Sequence, residues 1–240
     1  MPELNFQIVG VEAVARALSP LLHFKLRVTA AAENEPVEAL ILQAQIQIQA
    51  PQRSYNTSER EKLVELFGPP DQWHRTLRNR LWAHAHTTAS RFIGQTDLTL
   101  AVPCTFDLNI AATKYFYALS EGEVSLLFLF SGTVFYLAAD GRLQVERLSW
   151  DKECQFRLPV GEWERLMEHH YPNTAWLLLH RDVFERLYAY KRRRRHGSWE
   201  DVVEELLAKE AGGTGTEAEG RRGESVGNSR TACEPEAVKS

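Results

Sequence analysis

His84 and His86 lie two residues apart in the segment 81–92, and on a strand that spacing puts both imidazoles on one face, as a metal site would need. A third ligand would have to come from His74, His169 or His170, because the segment itself holds no Asp, Glu or Cys. The pair therefore reads either as two metal ligands or as an ordinary surface or hydrogen-bonded histidine pair. Cys104 and Asp107 could suggest a nucleophile and an acid, but strand alternation sends them to opposite faces, which favours a buried core thiol. Ser131, in Phe-Ser-Gly-Thr, lacks the Gly-x-Ser-x-Gly elbow, and no Walker A loop or dinucleotide fingerprint occurs, so no catalytic residue is assigned and no cofactor is expected. The run Lys191, Arg192, Arg193, Arg194, Arg195 closes a helical pattern, where cations complement the negative end of the dipole; its alternative role is to meet an anionic partner. A further candidate docking surface is the polar set His23, Lys25, Arg27, Gln43, Gln45, Gln47 and Gln49, since neutral Gln side chains desolvate more cheaply than charges.

The elements that position these groups begin as strands. Leu4, Phe6 and Ile8 alternate with Asn5 and Gln7, while Leu22, Phe24, Leu26 and Val28 alternate with His23, Lys25, Arg27 and Thr29. Leu42, Ala44, Ile46 and Ile48 repeat the period against Gln43, Gln45, Gln47 and Gln49, and Glu33-Asn34-Glu35-Pro36 supplies a hairpin loop before them. Ser58-Glu59-Arg60-Glu61 has capping-box spacing ahead of Leu63, Val64 and Phe67, with Gly68 as the stop; Pro69-Pro70-Asp71 opens a second helical piece containing Trp73 and Leu77. Leu98, Leu100, Val102, Cys104 and Phe106 share one strand face, and the segment 109–119 is rich in aromatic and small residues. Val124 to Ser131 is apolar at nearly every position and predicts a central strand covered on both faces. Thr133–Ala138 and Leu143–Trp150 flank the hairpin signal Asp140-Gly141.

The last third changes period. Trp163, Leu166, Met167 and His170 predict a helix closed by Pro172; Val183, Phe184, Leu187 and Tyr188 predict a second, ending near Gly197. Ser198-Trp199-Glu200-Asp201 caps a third, with Val202, Val203, Leu206 and Leu207 as its inward face. Trp82, Trp150, Trp163 and Trp176 all lie near apolar stripes and read as core. The fold expected is α+β: an antiparallel β-sandwich-like body with one or two short helices after the third strand and three C-terminal helices. Residues 1–210 are expected to form a single domain. Residues 211–240 hold no Leu, Ile, Met or aromatic side chain and are expected to be a disordered tail.

Composition closes off several classes. With 240 residues, 44% hydrophobic, 14 Gly and 3 Cys, the chain is neither collagen-like, nor a disulfide scaffold, nor wholly disordered. The 28 basic and 32 acidic side chains leave a net charge of −4, which gives no global attraction to nucleic acid. Cys104, Cys154 and Cys233 form no CxxC pair, the N-terminus lacks a secretory pattern, and the most apolar stretch, 124–130, is far short of the roughly 20 residues of a spanning helix. A cytoplasmic protein without membrane insertion is expected.

At Pro103-Cys104-Thr105-Phe106-Asp107, Phe130-Ser131-Gly132-Thr133-Val134-Phe135-Tyr136 and Tyr171-Pro172-Asn173-Thr174-Ala175-Trp176 the sequence resembles a bacterial family known as a domain of unknown function, from about Glu3 to Glu210. The resemblance implies an accessory or assembly role, because genes of that family often lie beside nickel-iron hydrogenase genes; hydrogenase components are then the implied protein partners. It brings no catalytic residues. The function expected is non-enzymatic protein binding, through Lys25, Arg27, Gln45, Gln47 and Lys191 to Arg195, with a metal-binding protein or metal-dependent enzyme built on His84 and His86 as the alternative.

Overall fold

The computed structural model describes residues 2–31, 36–138 and 140–213, which form two compact units divided after Trp176. The expected loop at Glu33-Asn34-Glu35 lies outside the described residues. In the first unit β1 (Leu4–Ala13), β2 (Leu21–Ala30) and β6 (Gln95–Pro103) make one antiparallel sheet with β2 in the middle. The second sheet runs β4 (Arg80–Ala89), β3 (Pro36–Ile48), β7 (Glu123–Leu137), with the two-residue β5 (Phe92–Ile93) extending the β4 side of β3. The far edge of β7 is covered in two pieces, β9 (Glu153–Pro159) along its first half and β8 (Leu143–Arg147) along its second.

Alternation decides what fills the space between the sheets. Phe6, Leu22, Phe24 and Leu26 point inward from one sheet, and Leu42, Ile46, Phe128 and Phe130 from the other. Phe6 stacks on Phe130 at 4.6 Å, and Phe24 meets the edges of Phe128 at 5.2 Å and Trp82 at 6.1 Å. Each such fully buried side chain contributes about 1.5–3 kcal/mol of transfer free energy, so this seam is the main stabilising feature of the unit. One strand, β7, replaces the two expected at 124–131 and 133–138. It crosses Gly132 without a break, and a Cβ there would lie 2.2 Å from the Ile41 carbonyl oxygen, so glycine is what lets β7 pass β3. Nor is β7 covered on both faces: Leu127 and Leu129 on its outer side are half-exposed, while Leu126, Phe128 and Phe130 are buried. The strand β9 carries the same period in Cys154, Phe156 and Leu158 and was not foreseen.

The helices close the ends of the body. α1 (Thr57–Phe67) starts two residues before the expected box, because Asn56 is the cap and Glu59 the reciprocal partner; Gly68, at φ 75°, ends it. The Ser58 box fails since the Glu59 carboxylate already satisfies the Asn56 amide. A short turn over Pro70–Gln72 and α2 (Trp73–Thr76) follow. The segment 109–119 becomes α3 (Ile110–Ala118), capped by Asn109. The Asn109 amide also donates to the carbonyls of Leu81 and Trp82, at the register shift in β4 where Leu81 pairs with Gln47 and Trp82 is left without a partner in β3. α4 (Val160–His170) buries Val160, Trp163, Leu166 and Met167.

The second unit is a helical hairpin, α5 (Arg181–Arg194) and α6 (Trp199–Gly213). Arg195, at φ 61°, turns the chain, and Ser198 and Asp201 cap α6 reciprocally. α6 runs three residues into the expected tail; residues 214–240 lie outside the described residues. Its expected inward face is corrected: Val202 is buried, whereas Val203, Leu206 and Leu207 are exposed, because one neighbouring helix covers one narrow stripe. Among the described residues no helix is long and apolar enough to cross a membrane.

Candidate functional site

Between α3 and α4 the chain forms an open groove of about 640 Å³ with an aromatic floor and a charged rim. The helical period puts Phe116 and Tyr117 of α3 opposite Trp163 and Met167 of α4; Phe116 stacks on Trp163 at 5.2 Å and Tyr117 meets its edge at 5.7 Å. The floor continues through Phe106, whose ring lies 4.6 Å from Tyr171 and parallel to Trp176 at 6.3 Å. The motifs at 103–107 and 171–176, remote in sequence, thus meet ring to ring. The Tyr117 hydroxyl donates to the Thr174 carbonyl at 2.7 Å and fastens the second motif to α3. Lys62, Glu164, Arg165 and Glu168 line the rim with both signs of charge. Phe106, Phe116, Trp163 and Met167 are buried beneath this surface, and Tyr117 is its exposed aromatic ring.

A second polar centre, absent from the sequence reading, holds one end of this groove. Glu59 is 2% exposed, and its carboxylate accepts from the Asn56 amide, the Ser120 amide and hydroxyl, and Arg53 at 2.7 Å. Arg53 also donates to the Glu123 carbonyl at 2.8 Å and to that of Glu121. Burial works to raise the Glu59 pKa, but the amide donors and the guanidinium outweigh it and hold the carboxyl below its usual range. Gly122 turns at φ 82° beside the guanidinium, where a Cβ would stand 3.1 Å from Nη1. Next to this pair the Tyr55 and Tyr115 hydroxyls share a 2.8 Å hydrogen bond, and burial pushes both pKa values up. The centre clamps the β3–α1 link to the α3–β7 link. The signal for it was Asn56-x-x-Glu59, a capping box one could read in place of Ser58-x-x-Glu61.

The residues singled out from the sequence fall on three surfaces. Lys25 and Arg27 lie on the outer face of the three-stranded sheet, paired with Glu12 at 2.6 Å and Asp97 at 2.8 Å. Gln43, Gln45 and Gln47 lie on the outer face of the other sheet, and Gln49 is buried where β3 ends, so the polar set does not form one surface. His84 and His86 are exposed beside those glutamines on one face of β4; Gln43 pairs in register with His86, Gln45 with His84, and His84 Nδ1 lies 3.2 Å from the Gln43 amide nitrogen. Among the described residues no group of three or more His, Cys, Asp and Glu is placed to hold a metal. His74 lies 3.0 Å from the Asp71 carbonyl and His169 2.8 Å from that of Ala15. Lys191 donates to the Gly197 carbonyl and lies over Trp199, Arg194 pairs with Glu205, and Arg193 lies over Tyr190, while Arg192 to Arg195 stay exposed. Cys104 is buried, and burial pushes its thiol up to about 12, so it is protonated at neutral pH. Trp82 and Trp163 are core as expected, but Trp150, between β8 and β9, is 93% exposed.

Residues 1–214 match the family of unknown function DUF6084. The chain belongs to the DUF6084 family. No curated protein matches it. Two structures of beta-glucosidase 3B from Thermotoga neapolitana, in complex with glucose and with alpha-D-glucose, align with 65% of the DUF6084 chain at 13% and 12% identity, each with a TM-score of 0.24. The alignment covers 17% of the glucosidase chain, so the DUF6084 protein spans under a fifth of that enzyme's length. A likeness this slight transfers neither fold detail nor activity.

Proposed function

We propose that this DUF6084 chain is a non-enzymatic protein-binding or assembly factor of the cytoplasm. The observation that carries the reading is the groove between α3 and α4, whose aromatic and methionine floor inside a mixed-charge rim has the composition of a protein contact. A partner segment would place apolar side chains against the exposed ring of Tyr117 and the half-buried ring of Tyr171, which rest on the buried Phe106, Phe116 and Trp163, and charges against Lys62, Arg165 and Glu168. Lys25 with Arg27, Gln45 with Gln47, and the run Lys191 to Arg195 are secondary contact surfaces in this reading. Hydrogenase components are the first partners to try, on the strength of the sequence resemblance. Affinity capture with the full chain from native lysate, beside the rim variant Lys62→Glu/Arg165→Glu, tests it. A protein retained by the wild type and lost with the variant is the expected result; no reproducible protein partner would overturn the reading.

A metal-binding role is the alternative, and what favours it is the exposed, same-face pair His84 and His86. Elemental analysis of the purified chain decides it: stoichiometric metal that disappears in His84→Ala/His86→Ala supports this role.

A further inference from the structure

The second unit presents an apolar face that its own two helices leave uncovered. In α6, Val203, Leu206 and Leu207 sit at i, i+3 and i+4 and are exposed, Leu207 by 60%; in α5, Phe184 and Tyr188, one turn apart, are exposed as well. Trp199 joins the two stripes, with its ring 5.5 Å from Phe184 and 6.1 Å from Tyr188, so these side chains share one side of the hairpin. A two-helix hairpin offers one seam, and here that seam buries Val202 and leaves the second stripe without a cover.

Charge says what covers it. α5 carries six basic and two acidic side chains, α6 five acidic and one basic. Within the hairpin Glu205 takes Arg194, His196 and Lys209, while Arg181, Arg192, Glu200 and Glu210 stay exposed. A basic helix and an acidic helix side by side make a surface complementary to a second copy of itself. We propose that the hairpin is a homodimerisation element: two copies pack their apolar faces into a four-helix bundle about a two-fold axis along the helices. Every neighbouring pair is then antiparallel, and α5 of each copy lies beside α6 of the other. Arg181 at the start of α5 faces Glu210 of the partner subunit, and Arg192 near its end faces Glu200 of the partner subunit. This inference uses the second unit and stands apart from the groove.

Sedimentation velocity of the full chain over a wide concentration range tests it. The wild type should be a dimer that weakens as salt rises. Phe184→Glu/Leu207→Glu should be monomeric with an unchanged helical circular dichroism signal. Arg181→Glu and Glu210→Arg each improve the match to their own helix dipole, so neither should unfold the hairpin, yet each should raise the dimer Kd about tenfold or more. The two together should restore it to within about threefold of wild type. A monomer at every concentration, a dimer that survives Phe184→Glu/Leu207→Glu, or charge variants that neither weaken nor rescue one another would overturn the proposal.

Discussion

Glu59 shows how one side chain joins two parts of the chain. It serves as the reciprocal half of the α1 cap and as the counter-ion of Arg53, and both tasks are performed nearly out of reach of water. Leaving a buried charge without its partner costs about 3–5 kcal/mol. Glu59→Ala should therefore lower the unfolding free energy by about 3 kcal/mol in urea titrations, whereas the paired change Arg53→Met/Glu59→Leu should cost less, because it strands no charge. The sign of the pH effect follows from the lowered pKa: the stabilisation is complete above the unfolded carboxyl value of about 4.3 and fades as pH falls through the folded one. Wild type and Glu59→Gln should thus keep a constant gap from neutral pH to about 5 and converge below about 4. Gly132 makes a different demand. With a Cβ 2.2 Å from the Ile41 carbonyl, Gly132→Ala must push β3 and β7 apart, and a thermal melt should show a loss of about 2 kcal/mol or more.

Among the elements, strands with one wet face were legible and the pieces defined by their neighbours were not. Leu4 to Ile8 of β1, Leu22 to Val28 of β2 and Leu40 to Ile48 of β3 follow their alternation, because each puts one face on the core. α3 was hidden in 109–119: Ala112, Tyr115, Phe116 and Leu119 are buried at helical spacing, but the exposed Tyr117 is aromatic as well and blurs the contrast between the two faces, and Asn109 both caps the helix and ties it to the β4 carbonyls. The groove was hidden for a related reason. Phe106 and Trp163 are core, as their apolar stripes suggest, and only the meeting of α3, α4 and the 171–176 segment sets the exposed Tyr117 and the half-buried Tyr171 over them inside one charged rim. The His84, His86 pairing on one face of β4 was fully legible, since a strand's period is two. As both imidazoles are exposed, His84→Ala/His86→Ala should leave the unfolding free energy within about 0.5 kcal/mol in a metal-free buffer.

On the scale of the whole molecule, the continuous apolar core lies entirely before Tyr171, and the second unit keeps its own small seam around Val202. A chain cut after Trp176 should therefore melt cooperatively, with a Tm within about 3 °C of the main transition of the full chain by circular dichroism. The division of the β7 edge between β8 and β9 has a use of its own. Of six tryptophans, Trp150 stands in the gap between those strands at 93% exposure, while Trp82 and Trp163 are buried in the core. Its indole should emit at the longest wavelength of the set and be the first that dissolved iodide extinguishes, so the molecule carries a built-in optical probe of whatever approaches that edge: a bound partner there would shield the red component of the emission and leave the blue component unchanged.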